Sequence, residues 1–163
     1  MDKETSGLEE SSSIQSYYEH DHDRLDGLLE RFRELKRSNF PEAKKNFRDF
    51  LIGLKRHIAW EEEILFPMFE DKTGMHGQGP TEAMRMEHRQ IKEILEAIHD
   101  KVRAQNPDCD AEVEALLGVL KPHNDKEEGI LYPAIDQHLT VEERQMVFTG
   151  MEGMPEDKYH TCC

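Results

Sequence analysis

The chain has 163 residues, a length that suits a single domain, and 34% of them are charged. Acids outnumber bases 35 to 21, and the net charge of −14 at pH 7 argues against a nucleic-acid surface or a docking face for anionic lipid. No apolar run reaches the length of a membrane span, and Met1 to Ser6 has neither the basic nor the apolar region of a signal peptide, so the expected location is the cytoplasm.

Residues 1–12 are polar and are expected to be disordered. The first helix is expected from about Ile14 to Arg37, with Leu25, Leu28, Leu29, Phe32 and Leu35 at helical spacing, before Ser38-Asn39-Phe40-Pro41 breaks it. A second is expected from about Glu42 to Glu70, carrying Phe47, Phe50, Leu51, Leu54, Ile58 and Leu65. Asp71 to Pro80 holds three glycines and forms the longest connection. The third helix is expected to start near Thr81, with its hydroxyl as cap, and to end before Asn106-Pro107-Asp108. The fourth spans about Ala111 to Gln137 through Val113, Leu116, Leu117, Leu120, Ile130 and Leu131. These patterns predict an all-α fold over residues 13–139, an antiparallel up-down-up-down four-helix bundle. Residues 140–163 are expected to form a short helix near Thr140 to Phe148 and a flexible tail ending in Cys162-Cys163.

A shift of 66 residues carries the first half onto the second: His22 onto His88, His57 onto His123 and Glu61 onto Glu127. Leu25/Ile91, Leu28/Ile94, Leu54/Leu120, Leu65/Leu131, Phe66/Tyr132 and Pro67/Pro133 follow the same shift, so the bundle is expected to be a two-fold duplication of one helical hairpin. His22 and His57 lie equally far from the first turn, and His88 and His123 from the turn at Asn106, which places each pair level on antiparallel helices. His57 and Glu61, like His123 and Glu127, are four apart on the apolar face. A single core histidine is ordinarily satisfied by a hydrogen bond. Four imidazoles and two carboxylates converging in an apolar core are not, because two facing buried carboxylates repel and lose solvation. Two divalent ions resolve this, and imidazole with carboxylate and no thiolate suits iron first, with manganese or zinc behind it.

These residues resemble the hemerythrin-like, or HHE cation-binding, domains. The resemblance covers Tyr17 to His138 and rests on Asp21-His22-Asp23-Arg24-Leu25-Asp26, His57-Ile58-Ala59-Trp60-Glu61-Glu62-Glu63-Ile64-Leu65-Phe66-Pro67, Glu87-His88, and His123-Asn124-Asp125-Lys126-Glu127-Glu128-Gly129-Ile130-Leu131-Tyr132-Pro133. It implies two non-haem iron ions with an oxo or hydroxo bridge, ligated by His22, His57, His88 and His123 and bridged by Glu61 and Glu127. Oxygen-carrying members have a fifth histidine four from the third-helix one, where this chain has Met84 or Lys92, and their second bridging acid falls at the position of Glu128. A four-histidine site looks more like domains proposed for iron sensing, nitric oxide or peroxide handling, and repair of iron centres.

Three functions follow as expectations: a binder of O2, NO or peroxide for sensing, storage or detoxification; a redox enzyme reducing NO or peroxide or repairing iron centres; and a regulatory module switched by iron occupancy. Any turnover needs an external electron donor, since no flavin, haem or nucleotide motif is present. Tyr18 and Met84, one turn before His22 and His88, are expected on the core face, where Tyr18 could hydrogen-bond toward the bridge. Glu62 and Glu128 are expected off the ligand face, and His20, His76, His99, His138 and His160 at the surface.

Overall fold

The computed structural model describes residues 13–160; residues 1–12 and the Cys162-Cys163 pair lie outside them. Every regular element is helical, and no strand occurs among the described residues. No helix there is long and apolar enough to cross a membrane.

Helix α1 spans Ile14–Leu35 and opens on a capping box, with the Ser13 side chain accepting from the Ser16 amide and Ser16 returning to the Ser13 backbone. Helix α2, Phe40–Trp60, starts at Asn39 with Pro41 in its first turn. It runs through a π-helical turn, Glu61–Leu65, into α3, Phe66–Thr73, which ends at the left-handed Gly74. Helix α4 is Pro80–Arg103. Helix α5, Asp110–Lys126, continues through a second π turn, Glu127–Leu131, into α6, Tyr132–His138. Helix α7, Val141–Glu152, begins with a Thr140–Glu143 capping box and is longer than the sequence suggests. After it Glu156–Lys158 form a 3-10 turn, and Lys158 pairs with Glu63 at 3.2 Å.

Thr81 does not cap α4. The cap position is Gly79, at φ 82°, and Pro80 takes the first turn, where its missing N–H costs nothing. The Thr81 hydroxyl donates instead to Glu70 Oε2 at 2.8 Å, tying α4 to α3.

Helix α1 packs along α2 and α4 along α5, while α2 touches α4 and α1 touches α6. Both short turns lie at one end. The buried Lys36 after α1 donates to Pro107 O at 2.7 Å and to Asp110 at 2.5 Å, joining one turn to the other. Two apolar clusters fill the interior. The one nearer these turns contains Leu29, Phe32, Phe47, Phe50, Leu95 and Leu116; the other contains Tyr18, Leu65, Phe66, Met84, Tyr132 and Val147. Helix α7 closes the second cluster, with Gly150 allowing its backbone to approach Ile64. The repeat-related Ile130 has no such cover and is exposed, although its spacing suggests the core.

The π turns explain a proline in the middle of each long rod. A π turn bonds each amide to the carbonyl five residues back, as Phe66 does to Glu61 and Tyr132 to Glu127. Pro67 and Pro133 have no amide to offer, so the carbonyls of Glu62 and Glu128 lose their helical donors. Arg85 donates to Glu62 O at 3.3 Å and Gln15 to Glu128 O at 3.2 Å, which satisfies both.

Candidate metal centre

Between the two apolar clusters lies one polar layer. His22, His57, Glu61, His88, His123 and Glu127 are all 3% exposed or less, and all six line one small cavity. The structure therefore brings together every residue of the sequence-predicted set. Helix α1 supplies His22, α2 supplies His57, α4 supplies His88, α5 supplies His123, and each π turn begins with one glutamate.

The carboxylates cross-link the halves. Glu61 Oε1 lies 3.7 Å from His57 Nε2 and 3.2 Å from His88 Nε2. Glu127 Oε1 lies 3.3 Å from His22 Nε2 and 3.2 Å from His123 Nε2. Donor atoms of Glu61, His88, His123 and Glu127 fall within 4.8 Å of one another, as do those of His22, His57 and Glu127. Glu127 belongs to both groups.

Each imidazole is held from behind. Nδ1 of His57 lies 2.9 Å from Asp21, that of His123 2.9 Å from Glu87, that of His88 2.7 Å from Glu62 and that of His22 3.1 Å from Glu128. An ionised carboxylate only accepts, so each Nδ1 carries the proton and each Nε2 faces inward. Asp21 is itself bonded by Arg24 at 3.0 Å, and Glu87 by Lys126. The shift of 66 residues carries Asp21 onto Glu87 and Glu62 onto Glu128. The first pair works within a hairpin and the second between hairpins. Sequence spacing placed Glu62 and Glu128 off the ligand face and gave Asp21 and Glu87 no role. An acid immediately before both repeated histidines was the available signal.

Tyr18 does not reach the carboxylates. Its hydroxyl donates to Met151 Sδ at 3.4 Å, toward α7. The phenol of the layer is Tyr132, whose hydroxyl donates to Glu61 Oε2 at 2.7 Å and lies 3.0 Å from Glu127 Oε1, 3.2 Å from His57 Nε2 and 3.4 Å from His22 Nε2. Its repeat partner Phe66 instead stacks on His88, with ring centroids 5.9 Å apart and planes 6° from parallel. His20, His76, His138 and His160 are exposed as expected, but His99 is buried.

The polar layer is electrostatically unbalanced without a cation. Burial raises the Glu61 carboxyl and repulsion from Glu127 raises it further, so Glu61 holds a proton while Glu127 stays charged, bonded by Glu61 and by His123 and His22. Burial opposes charge on His22 and His88, yet Glu127, Glu61 and Glu128 lift the first to about 9, and Glu61, Glu62 and Glu127 lift the second to about 9. Burial and the two glutamates also push the Tyr132 phenol well above its ordinary range, keeping it a neutral donor. The layer thus draws positive charge, and protons compete for the same atoms that a divalent ion would use.

The donor set fits such an ion on direct structural grounds. Glu61 Oε1, Glu127 Oε2 and His88 Nε2 are buried with no hydrogen-bond partner, which is costly unless something else coordinates them. Asp21→Ala and Glu87→Ala would leave the inward donors in place but free an imidazole to turn. Each is expected to weaken metal binding by about 10- to 100-fold, read by competition with a chromophoric chelator, whereas exposed Asp23→Ala should leave it unchanged.

The family profile described as Hemerythrin HHE cation binding domain matches residues 13–135. An uncharacterised hemerythrin-like protein of Schizosaccharomyces pombe is 29% identical over 122 residues, covering 74% of this chain and 60% of the relative. The iron-sulfur cluster repair protein YtfE of Escherichia coli O81 (strain ED1a) is 27% identical over 135 residues, covering 74% of this chain and 61% of the relative. The chain thus spans about three fifths of the length of these curated relatives. No solved structure matches it significantly.

Proposed function

The chain belongs to the hemerythrin HHE cation-binding domain family, and from that premise we propose that it is a non-haem di-iron protein whose centre takes up O2, NO or peroxide. His22, His57, His88 and His123 would hold the ions through Nε2, and Glu61 and Glu127 would lie between them. The bound iron supplies redox change and open coordination positions. The fold is an antiparallel up-down-up-down four-helix bundle doubled from one helical hairpin. The matching π turns and the carboxylate–histidine pairs 66 residues apart support that reading.

One observation carries the choice of ligand. The cavity inside the six donors measures about 10 Å³ and is walled by Leu25, Leu54, Ile58, Ile91 and Leu120. An organic substrate does not fit, whereas a diatomic molecule or peroxide approaches that scale. Apolar walls exclude water, Tyr132 offers the one inward hydroxyl, and the outer carboxylates keep the imidazoles aimed. The printed function of the E. coli relatives, iron–sulfur cluster repair, favours a second reading in which the same centre donates iron or turns over its ligand.

Iron-replete protein is expected to contain about two irons per chain and, in air, to absorb in the near-ultraviolet by ligand-to-metal charge transfer. Stopped-flow mixing of the diferrous protein with O2, NO and peroxide tests the proposal. A stable stoichiometric adduct supports binding, and repeated consumption with a reductant supports the enzymatic reading. No reaction with any of the three would overturn both.

A further inference from the structure

About three helical turns from the metal layer, on the side of the short interhelical turns, the start of α2 and the end of α4 enclose a cavity of about 270 Å³. Lys44, Lys45, Arg48 and Arg103 ring it, with Phe47 and His99 among its lining. In a chain of net charge −14 this concentration of bases is out of character. Lys44, Lys45 and Arg48 have no ion-pair partner among the described residues, and Arg103 pairs only with Asp100, at 3.5 Å on its own helix.

His99 adds an independent observation. It is 3% exposed, and neither ring nitrogen has a hydrogen-bond partner. The nearest carboxylate, Glu96, stands 3.5 Å from Nδ1 without forming a hydrogen bond, and Lys55 occupies its other oxygen at 3.1 Å. A buried imidazole with both nitrogens unsatisfied, lining a cationic cavity, lacks an acceptor. The first turn of the 21-residue α2, which contributes Pro41 and Lys44 to the wall, adds its positive dipole end.

We propose that this cavity is a binding site for a small phosphate-bearing molecule. Four cations and an imidazole donor match a phosphate dianion better than a single carboxylate. The volume exceeds that of the phosphate alone, and Phe47 offers an apolar surface to an attached organic group. This site shares no residue with the metal layer, so it stands or falls independently of the iron reading.

Isothermal titration calorimetry of the purified full chain with phenyl phosphate tests it, with benzoate as the carboxylate of the same ring, at constant ionic strength. Saturable binding of phenyl phosphate in the millimolar range or tighter is expected, at least about tenfold stronger than benzoate. The Lys44→Glu/Arg48→Glu variant changes two side chains at the cavity rim and should lose at least about tenfold affinity while keeping its iron content. His99→Phe, which fills the same space without a donor, should also weaken binding, with circular dichroism confirming its fold. No saturable heat, equal affinity for benzoate, or an unchanged constant in the charge-reversed variant would each overturn the proposal.

Discussion

Glu127→Ala is expected to empty both ion positions at once. Its carboxylate is fully buried, belongs to both donor groups, and sets Oε1 at 3.3 Å from His22 and 3.2 Å from His123. Loss of a carboxylate shared by two ions should exceed the effect of an outer-partner deletion, so affinity should fall by more than about 100-fold. Iron should drop from about two per chain to near zero. If wild type is saturated about a thousandfold above its dissociation constant, the lost linkage is about 4 kcal/mol, or about 8–16 °C in midpoint for a chain of this size. The metal-free proteins should behave in the opposite sense. Without a cation, Glu61 and Glu127 repel across an apolar core, so removing one should leave metal-free stability unchanged or improved. A structural role for Glu127 would instead destabilise the variant equally with and without iron. Calorimetric melting of both forms separates these outcomes.

Tyr132→Phe is expected to change how the two positions fill. The Tyr132 hydroxyl stands among the donor atoms of His22, His57, Glu61 and Glu127, within 3.4 Å of each. The half formed by His88 and His123 meets only the hydroxyl-free ring of Phe66, and His88 Nε2 there is unpartnered. A cation entering between His22 and His57 must therefore displace a hydroxyl already bonded to Glu61, whereas one entering beside His88 displaces no such group. Wild-type protein should take up ferrous ions in two unequal steps under anaerobic titration. Tyr132→Phe should tighten the weaker step by about tenfold, the worth of one hydrogen bond to a charged group, and bring the two steps together. Indistinguishable isotherms for wild type and variant would contradict this account.

The six inward donors were legible because a histidine or glutamate on an apolar face is conspicuous, and the shift of 66 residues repeats all of them. The helices were legible from the spacing of Leu, Ile and Phe. The π turns were not, since a 3.6-residue reading carries the α-helical phase straight through Glu61–Leu65 and Glu127–Leu131. The extra residue in each turn changes which later side chains face inward. Tyr132 thereby reaches the glutamates, while Tyr18, which spacing placed one turn before His22, bonds to Met151 on α7. Pro67 and Pro133, each six residues after an inward glutamate, were the one local clue, because an α-helix seldom tolerates proline there. His99 was misread for a different reason. Glu96 and Asp100 flank it in sequence, which suggests a wet face, but its own ring falls beside Phe47 of α2.

The most direct test of the dinuclear reading is anomalous diffraction at the iron edge from crystals grown with iron-replete protein. The account predicts two peaks per chain inside the layer bounded by His22, His57, Glu61, His88, His123 and Glu127. A single peak, or iron found only outside that layer, would contradict it.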